Sequence, residues 1–111
     1  MENLIMETPP VYYDRSHIEF LQKLWGDGYL SPGGPEEVER ILGDVILSNA
    51  TVLDIGCGSG GITVSLVNEY GAKKVTGIDV ETDVCEVALE RVKKLDLQGS
   101  IDIVKVKPGH F

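Results

Sequence analysis

Only two cysteines, Cys57 and Cys85, occur in the 111 residues. That is too few for a disulfide framework or a zinc site. Both are expected to be small packing residues in a reducing compartment. Bases are scarce as well: ten Lys and Arg stand against 18 Asp and Glu, a net charge of −8. Phosphate-backbone binding needs a basic face, so nucleic acid is not expected as a partner. The acidity fits a solvated surface or, less directly, a cationic substrate. No apolar run approaches the roughly 20 residues of a membrane span, so no membrane partner is expected. The start, Met1 to Glu7, lacks the basic residues and long apolar stretch of a signal peptide. A soluble cytoplasmic protein is therefore expected. Neither His17 nor His110 has a Cys/His/Asp cluster at ligand spacing, and no metal is expected. There is no internal repeat.

The composition is that of a globular chain, 42% hydrophobic and 25% charged. Residues 1–11, ending in Thr8-Pro9-Pro10, should be extended or loose. Ile18, Leu21 and Leu24/Trp25 recur at helical spacing, which predicts an amphipathic helix over 14–25 ended by Gly26-Asp27-Gly28. A second helix should start with Pro35 at its first position and Glu36 and Glu37 at its positive end. Its stripe Val38, Ile41, Leu42, Val45, Ile46 predicts that it runs to about Ser48-Asn49.

The period then changes. Thr51 to Ile55 is a short branched run bounded by turn signals and reads as a buried strand. Gly56-Cys57-Gly58-Ser59-Gly60-Gly61 follows, then a helix marked by Ile62, Leu66, Val67 and Tyr70 and closed by Gly71. Lys74 to Asp79 is a second strand. A helix capped by Thr82 or Asp83 comes next, with Val84, Val87, Ala88, Arg91, Val92 and Leu95 as its core stripe. Residues 101–106 form a third strand. Strand, helix, strand, helix, strand is half of a doubly wound α/β fold, a Rossmann-like parallel sheet in the order 3-2-1 with two N-terminal helices before it. Residues 1–49 are read as an N-terminal helical segment, the lid that the resemblance given below implies, and 50–111 as a partial cofactor-binding Rossmann-like domain.

The chemistry sits in Val52 to Gly61 with Gly77-Ile78-Asp79. Gly56, Gly58 and Gly61 satisfy G-x-G-x-x-G between a strand and a helix, a spacing that lets backbone approach a ligand closely. Asp79 lies 23 residues after Gly56 at a strand end, where a carboxylate can accept both ribose hydroxyls. The plain alternative is a helix-capping acid. Val80 would cover one face or edge of an adenine. Asp54 separates two ligand classes: an anion there opposes a pyrophosphate and attracts the ammonium and sulfonium of S-adenosylmethionine. Its plain alternative is a buried acid bonded to loop amides.

VLDIGCGSGG together with GID resembles the class I S-adenosylmethionine-dependent methyltransferases over residues 50–106. The resemblance implies S-adenosylmethionine as cofactor, with the glycine loop and the acid after the second strand holding it. Upstream, Tyr13 and Trp25-Gly-Asp-Gly-Tyr-Leu-Ser-Pro-Gly-Gly34 look like the N-terminal lid of phosphoethanolamine and related small-amine N-methyltransferases. By that resemblance Tyr13 is the catalytic candidate, and Tyr29, Ser31 and Gly33 flank the cofactor. Tyr12 and Tyr13 read equally well as packing residues. A small-molecule methyl acceptor, an amine, is implied. Two departures stand out. Lys105-Val106-Lys107-Pro108 has no acid where the family places one for the adenine amino group. The family's later strands also have no counterpart. Strand 51–55 should then be an exposed apolar edge, which predicts a homodimer or a complementing chain. Two further readings remain open: a cofactor-binding module inactive without a partner, and a nicotinamide dinucleotide fragment.

Overall fold

The computed structural model describes residues 14–108. Helix α1 spans Arg15–Trp25 and is capped by Asp14, whose carboxylate accepts the His17 N–H at 2.9 Å. Ile18 is its one buried residue; Leu24 is 54% exposed, so much of the expected apolar face stays open. Arg15 pairs with Glu90 across to the fourth helix.

Helix α2 spans Gly34–Leu42, with Pro35 one position later than expected and Glu36 and Glu37 in the first turn. It ends a full turn or more before residue 48. Gly43 closes it at φ 55°, donating to Glu39 O at 2.7 Å. The chain beyond turns to other partners: Leu47 N–H bonds Tyr70 O at 3.2 Å, and Ser48 bridges Ala72 in antiparallel fashion. These bonds hold residues 44–50 as a lead into the first strand. Val45 and Ile46 end up exposed rather than on a helix face.

Strands β1 (Thr51–Ile55), β2 (Lys74–Asp79) and β3 (Ile101–Lys105) alternate with helices α3 (Gly61–Asn68) and α4 (Thr82–Lys94). The sheet is parallel in the order β1-β2-β3, with Asp54 opposite Gly77 and Asp79 opposite Lys105. This is the expected 3-2-1 arrangement read from its other end. β2 is central. Val75 on β2 is fully buried and packs with Leu66, Ala72, Val92 and Ile101 in the core.

β1 is the apolar edge that the topology implies. Among the described residues it pairs only with β2, and Leu53 and Ile55 are 58% and 65% exposed, so it is not a buried strand. Neither Thr82 nor Asp83 caps α4. Its N-cap is Glu81, which offers no side-chain bond, and the carboxylate of Asp79 takes the Glu81 N–H instead. No helix among the described residues is long and apolar enough to cross a membrane.

Candidate functional site

The loop between β1 and α3 is fixed by the end of β2. Gly56 N–H and Cys57 N–H both donate to Ile78 O, at 2.8 and 2.9 Å. Asp79, one residue on, accepts the Gly58 N–H on Oδ2 at 3.0 Å and the Glu81 N–H on Oδ1 at 3.1 Å. Its carboxylate thus joins the glycine loop to the start of α4. These contacts leave acceptor capacity for a ligand, because an ionised carboxylate has about four acceptor sites and two are used.

Asp54 is half-buried at the end of β1 and accepts a hydrogen bond from the Thr63 hydroxyl at 2.7 Å. Loop amides are not its partners. Burial pushes its carboxyl above the ordinary value; the Thr63 bond acts in the other direction, and the charge of Asp79 adds to the rise. Thr63 itself is fully buried on α3.

Cys57 fills the space between loop and sheet. A Cβ on Gly77 would lie 2.9 Å from the Cys57 Cβ, so this strand position has no room for a side chain. Burial, then the charges of Asp54 and Asp79, push the Cys57 thiol up to about 12. A thiol so held is a packing group and not a nucleophile. Cys85 is likewise buried and raised, chiefly by burial.

Above the loop lies the segment after α1. Gly61 N–H donates to Gly28 O at 2.9 Å. A Cβ on Gly61 would sit 2.5 Å from that oxygen and 3.0 Å from Tyr29 Cε2, so the close approach requires glycine there. Between the two layers is a cavity of about 110 Å³, lined by Gly28, Tyr29, Leu30, Ser31, Gly56, Cys57, Gly58, Ser59 and Ile62. Tyr29, Ser31, Gly56 and Gly58 are therefore brought together as the motifs suggested. Gly61 stands at the layer contact, while Asp79 and Asp54 brace the loop by bonding Gly58 and Thr63. Val80 follows Asp79 and is half-buried outside the cavity lining. Gly33 is elsewhere: it is the N-cap of α2, where a Cβ would meet Glu37 Cβ at 2.9 Å. Tyr13, with Tyr12 and His110, lies outside the described residues. Among the described residues, no three His, Cys, Asp or Glu side chains cluster as metal ligands would.

Three contributors escape a motif search. Gly60 is the left-handed N-cap of α3 at φ 95°. The Ser59 hydroxyl is buried in the loop without a partner among the described residues. Arg91, placed by periodicity on the core stripe of α4, instead reaches the loop. Its Nε donates to Ser59 O at 2.9 Å, and its terminal nitrogens bond Asp27 at 2.8 and 3.1 Å and Gln22 Oε1 at 2.9 Å. The Arg91 hydrogen bond holds the Asp27 carboxyl below its usual range, against the opposing pull of burial.

Among the described residues the cavity lining holds no Lys or Arg; Asp79 bonds Gly58 of the lining, and Asp54 bonds Thr63 in the first turn of α3. Backbone amides, a negative field and unshared acceptor capacity suit a ligand that carries hydroxyls and positive charge. S-adenosylmethionine has both, and the residues fit it better than they fit a pyrophosphate.

Known proteins resemble this chain in the same terms. The methyltransferase domain family matches residues 52–108. Phosphoethanolamine N-methyltransferase of Plasmodium falciparum is 37% identical over 81 residues, covering 72% of this chain and 30% of that protein. Phosphoethanolamine N-methyltransferase 1 of Zea mays is 37% identical over 82 residues, 73% of this chain and 16% of that one. The chain thus spans less than a third of the length of these relatives. Phosphoethanolamine N-methyltransferase 2 of Haemonchus contortus, solved in complex with S-adenosyl-L-methionine, superposes with a TM-score of 0.71 at 32% identity, covering 82% of this chain and 21% of that one.

Proposed function

Because the chain belongs to the class I S-adenosylmethionine-dependent methyltransferases, we propose that it is the cofactor-binding part of an enzyme that transfers a methyl group to a small molecule, an amine. The observation that carries this reading is the pair Asp54 and Asp79 at a glycine loop whose cavity has no Lys or Arg in its lining among the described residues. A pyrophosphate would meet the Asp54 carboxylate there, whereas Asp79 suits the ribose of either ligand class. The relatives named for phosphoethanolamine N-methylation support the amine.

In this reading Asp79 accepts the ribose hydroxyls with the acceptor sites that Gly58 and Glu81 leave. Asp54 draws the methionine ammonium, oriented by Thr63. Gly56, Gly58 and Gly61 bring backbone close, Tyr29 and Ser31 border the cofactor, and Val80 meets one face or edge of the adenine. Bound S-adenosylmethionine supplies a methyl group already activated by its sulfonium leaving group. The protein's share is to exclude water and align the acceptor nitrogen with the methyl carbon and the sulfur. The amine must arrive neutral, and Tyr13 orients it or helps remove its proton. Tyr13→Phe should lower turnover with cofactor affinity unchanged; equal turnover removes Tyr13 from the mechanism.

The open edge of β1 supports a second element of the proposal. The unpaired backbone of an edge strand invites another strand, and covering the face that bears Leu53 and Ile55 is worth about 1.5–3 kcal/mol per side chain; both favour a second copy or a complementing chain on β1. Sedimentation at micromolar concentration should show a dimer; a stable monomer refutes self-association. The same edge favours one alternative, a binding module that is inactive until its partner completes it, and a methyl-transfer assay on the isolated chain separates the two. Calorimetric titration tests the reading as a whole. S-adenosylmethionine and its demethylated product should bind and NAD should not; NAD binding with both others silent overturns it.

A further inference from the structure

Arg91 connects three stretches that are far apart in sequence. It reaches back from α4 to the glycine loop through Ser59 O, to the loop after α1 through Asp27, and into α1 through Gln22. The Gln22 oxygen that accepts from Arg91 also accepts the Gly28 N–H at 3.0 Å. Gly28 in turn receives the Gly61 N–H. The result is a closed circuit from Arg91 to Gln22, Gly28, Gly61 and Ser59 and back to Arg91. Its side chain is only 16% exposed, so these bonds are partly screened from water, although Asp27 itself is 82% exposed.

Two members of the circuit, Gly28 and Ser59, line the cleft. With residues 28–31 held down, the cavity is about 110 Å³, below the roughly 300–1,000 Å³ that small-molecule pockets span. A nucleoside ligand must lift this segment to enter or leave, or project beyond it. The bonds of Arg91 oppose that lifting.

We propose that Arg91 is a positioning residue that holds residues 22–31 against the glycine loop and so sets how fast a ligand leaves the cleft. The choice of probe rests on reading the cleft as an S-adenosylmethionine site; the role of Arg91 in holding the segment does not. Only a planar fork of donors satisfies Ser59, Asp27 and Gln22 together. A lysine keeps the charge and the aliphatic stem but not the fork.

The test uses the 111-residue chain with R91K, Gln22→Met and the double variant. Without ligand, R91K should raise amide hydrogen exchange at Gly28 and Gly61 at least tenfold, while Val75 in β2 stays within twofold. With S-adenosylhomocysteine, stopped-flow displacement should show release at least fivefold faster in R91K. Gln22→Met should move in the same direction, and the double variant should exceed R91K at Gly28, because Gln22 also accepts the Gly28 N–H directly. Unchanged exchange at Gly28 and Gly61 overturns the proposal. So does an equal rise at Val75, which marks a general loss of stability, or unchanged release from a chain that binds the probe. A wild-type chain that does not bind S-adenosylhomocysteine instead overturns the cofactor reading, and the exchange rates then decide the role of Arg91 alone.

Discussion

Asp79→Asn separates the two tasks of one carboxylate. The side chain accepts Gly58 N–H at 3.0 Å and Glu81 N–H at 3.1 Å, one on each oxygen. Asn has nearly the same shape, but one of those oxygens becomes an NH2 group that cannot accept. One backbone amide therefore loses its partner. A hydrogen bond to a charged group is worth about 1.5–3 kcal/mol, and unfolding in urea should register a loss of that order. The proposed ribose contact fails for the same reason, because the NH2 group cannot accept a hydroxyl hydrogen. A loss of about 1.5–3 kcal/mol in binding is a rise in Kd of roughly ten- to a hundredfold. Calorimetric titration of S-adenosylhomocysteine, run where circular dichroism shows both forms folded, measures it. Asp102→Asn is the control: that acid is exposed on β3 and pairs with Lys74 at 3.3 Å, so its loss should leave Kd unchanged. A Kd for Asp79→Asn within twofold of wild type, in a folded protein, would refute the assignment.

Gly61→Ala should leave α3 intact, since alanine favours a helix over glycine by about 1 kcal/mol. The new methyl collides with the Gly28 carbonyl and displaces the segment above, so ligand affinity should fall at least tenfold and proteolysis at residues 26–31 should quicken. Unchanged cleavage would contradict the close contact. Asp54 carries a raised folded-state pKa. The sign is that ionising Asp54 costs stability, a cost absent at pH below its unfolded value and present in full above its folded one. Asp54→Asn should then be more stable than wild type at pH 7 and equal to it in acid, as thermal melts across pH would show. A cationic ligand needs the ionised form. S-adenosylmethionine affinity should therefore weaken as pH falls through the raised pKa in wild type, and about tenfold or more at neutral pH in Asp54→Asn. A variant that binds like wild type would rule out the ammonium contact.

The alternation of β1, α3, β2, α4 and β3 was legible because each element announces itself locally. Branched runs at 51–55 and 74–79 switch the period from helical to extended, and Gly71 punctuates it. The end of α2 was not legible, since Val45 and Ile46 continue the helical spacing. Periodicity describes side chains; the backbone bonds of Leu47 and Ser48 to Tyr70 and Ala72 decided the matter. Of the site, the loop glycines, Tyr29 and Ser31 were readable from the motifs and the resemblance, and the structure gathers them. The Gly28–Gly61 contact was not, because it joins residues 33 apart in sequence through bare backbone. Arg91 left a trace in its position: a guanidinium between Val84, Ala88 and Val92 on one face of α4 needs partners of its own, and that oddity was the available signal.

The buried, proton-retaining thiol of Cys57 has a practical consequence. Cys57 is 7% exposed and Cys85 4%, and alkylating reagents attack thiolate rather than thiol. Maleimides and mild oxidants should therefore spare both native sulfurs while the fold is intact. A single new surface cysteine can carry a fluorophore without background labelling, and the appearance of two extra reactive sulfurs becomes a direct gauge of unfolding.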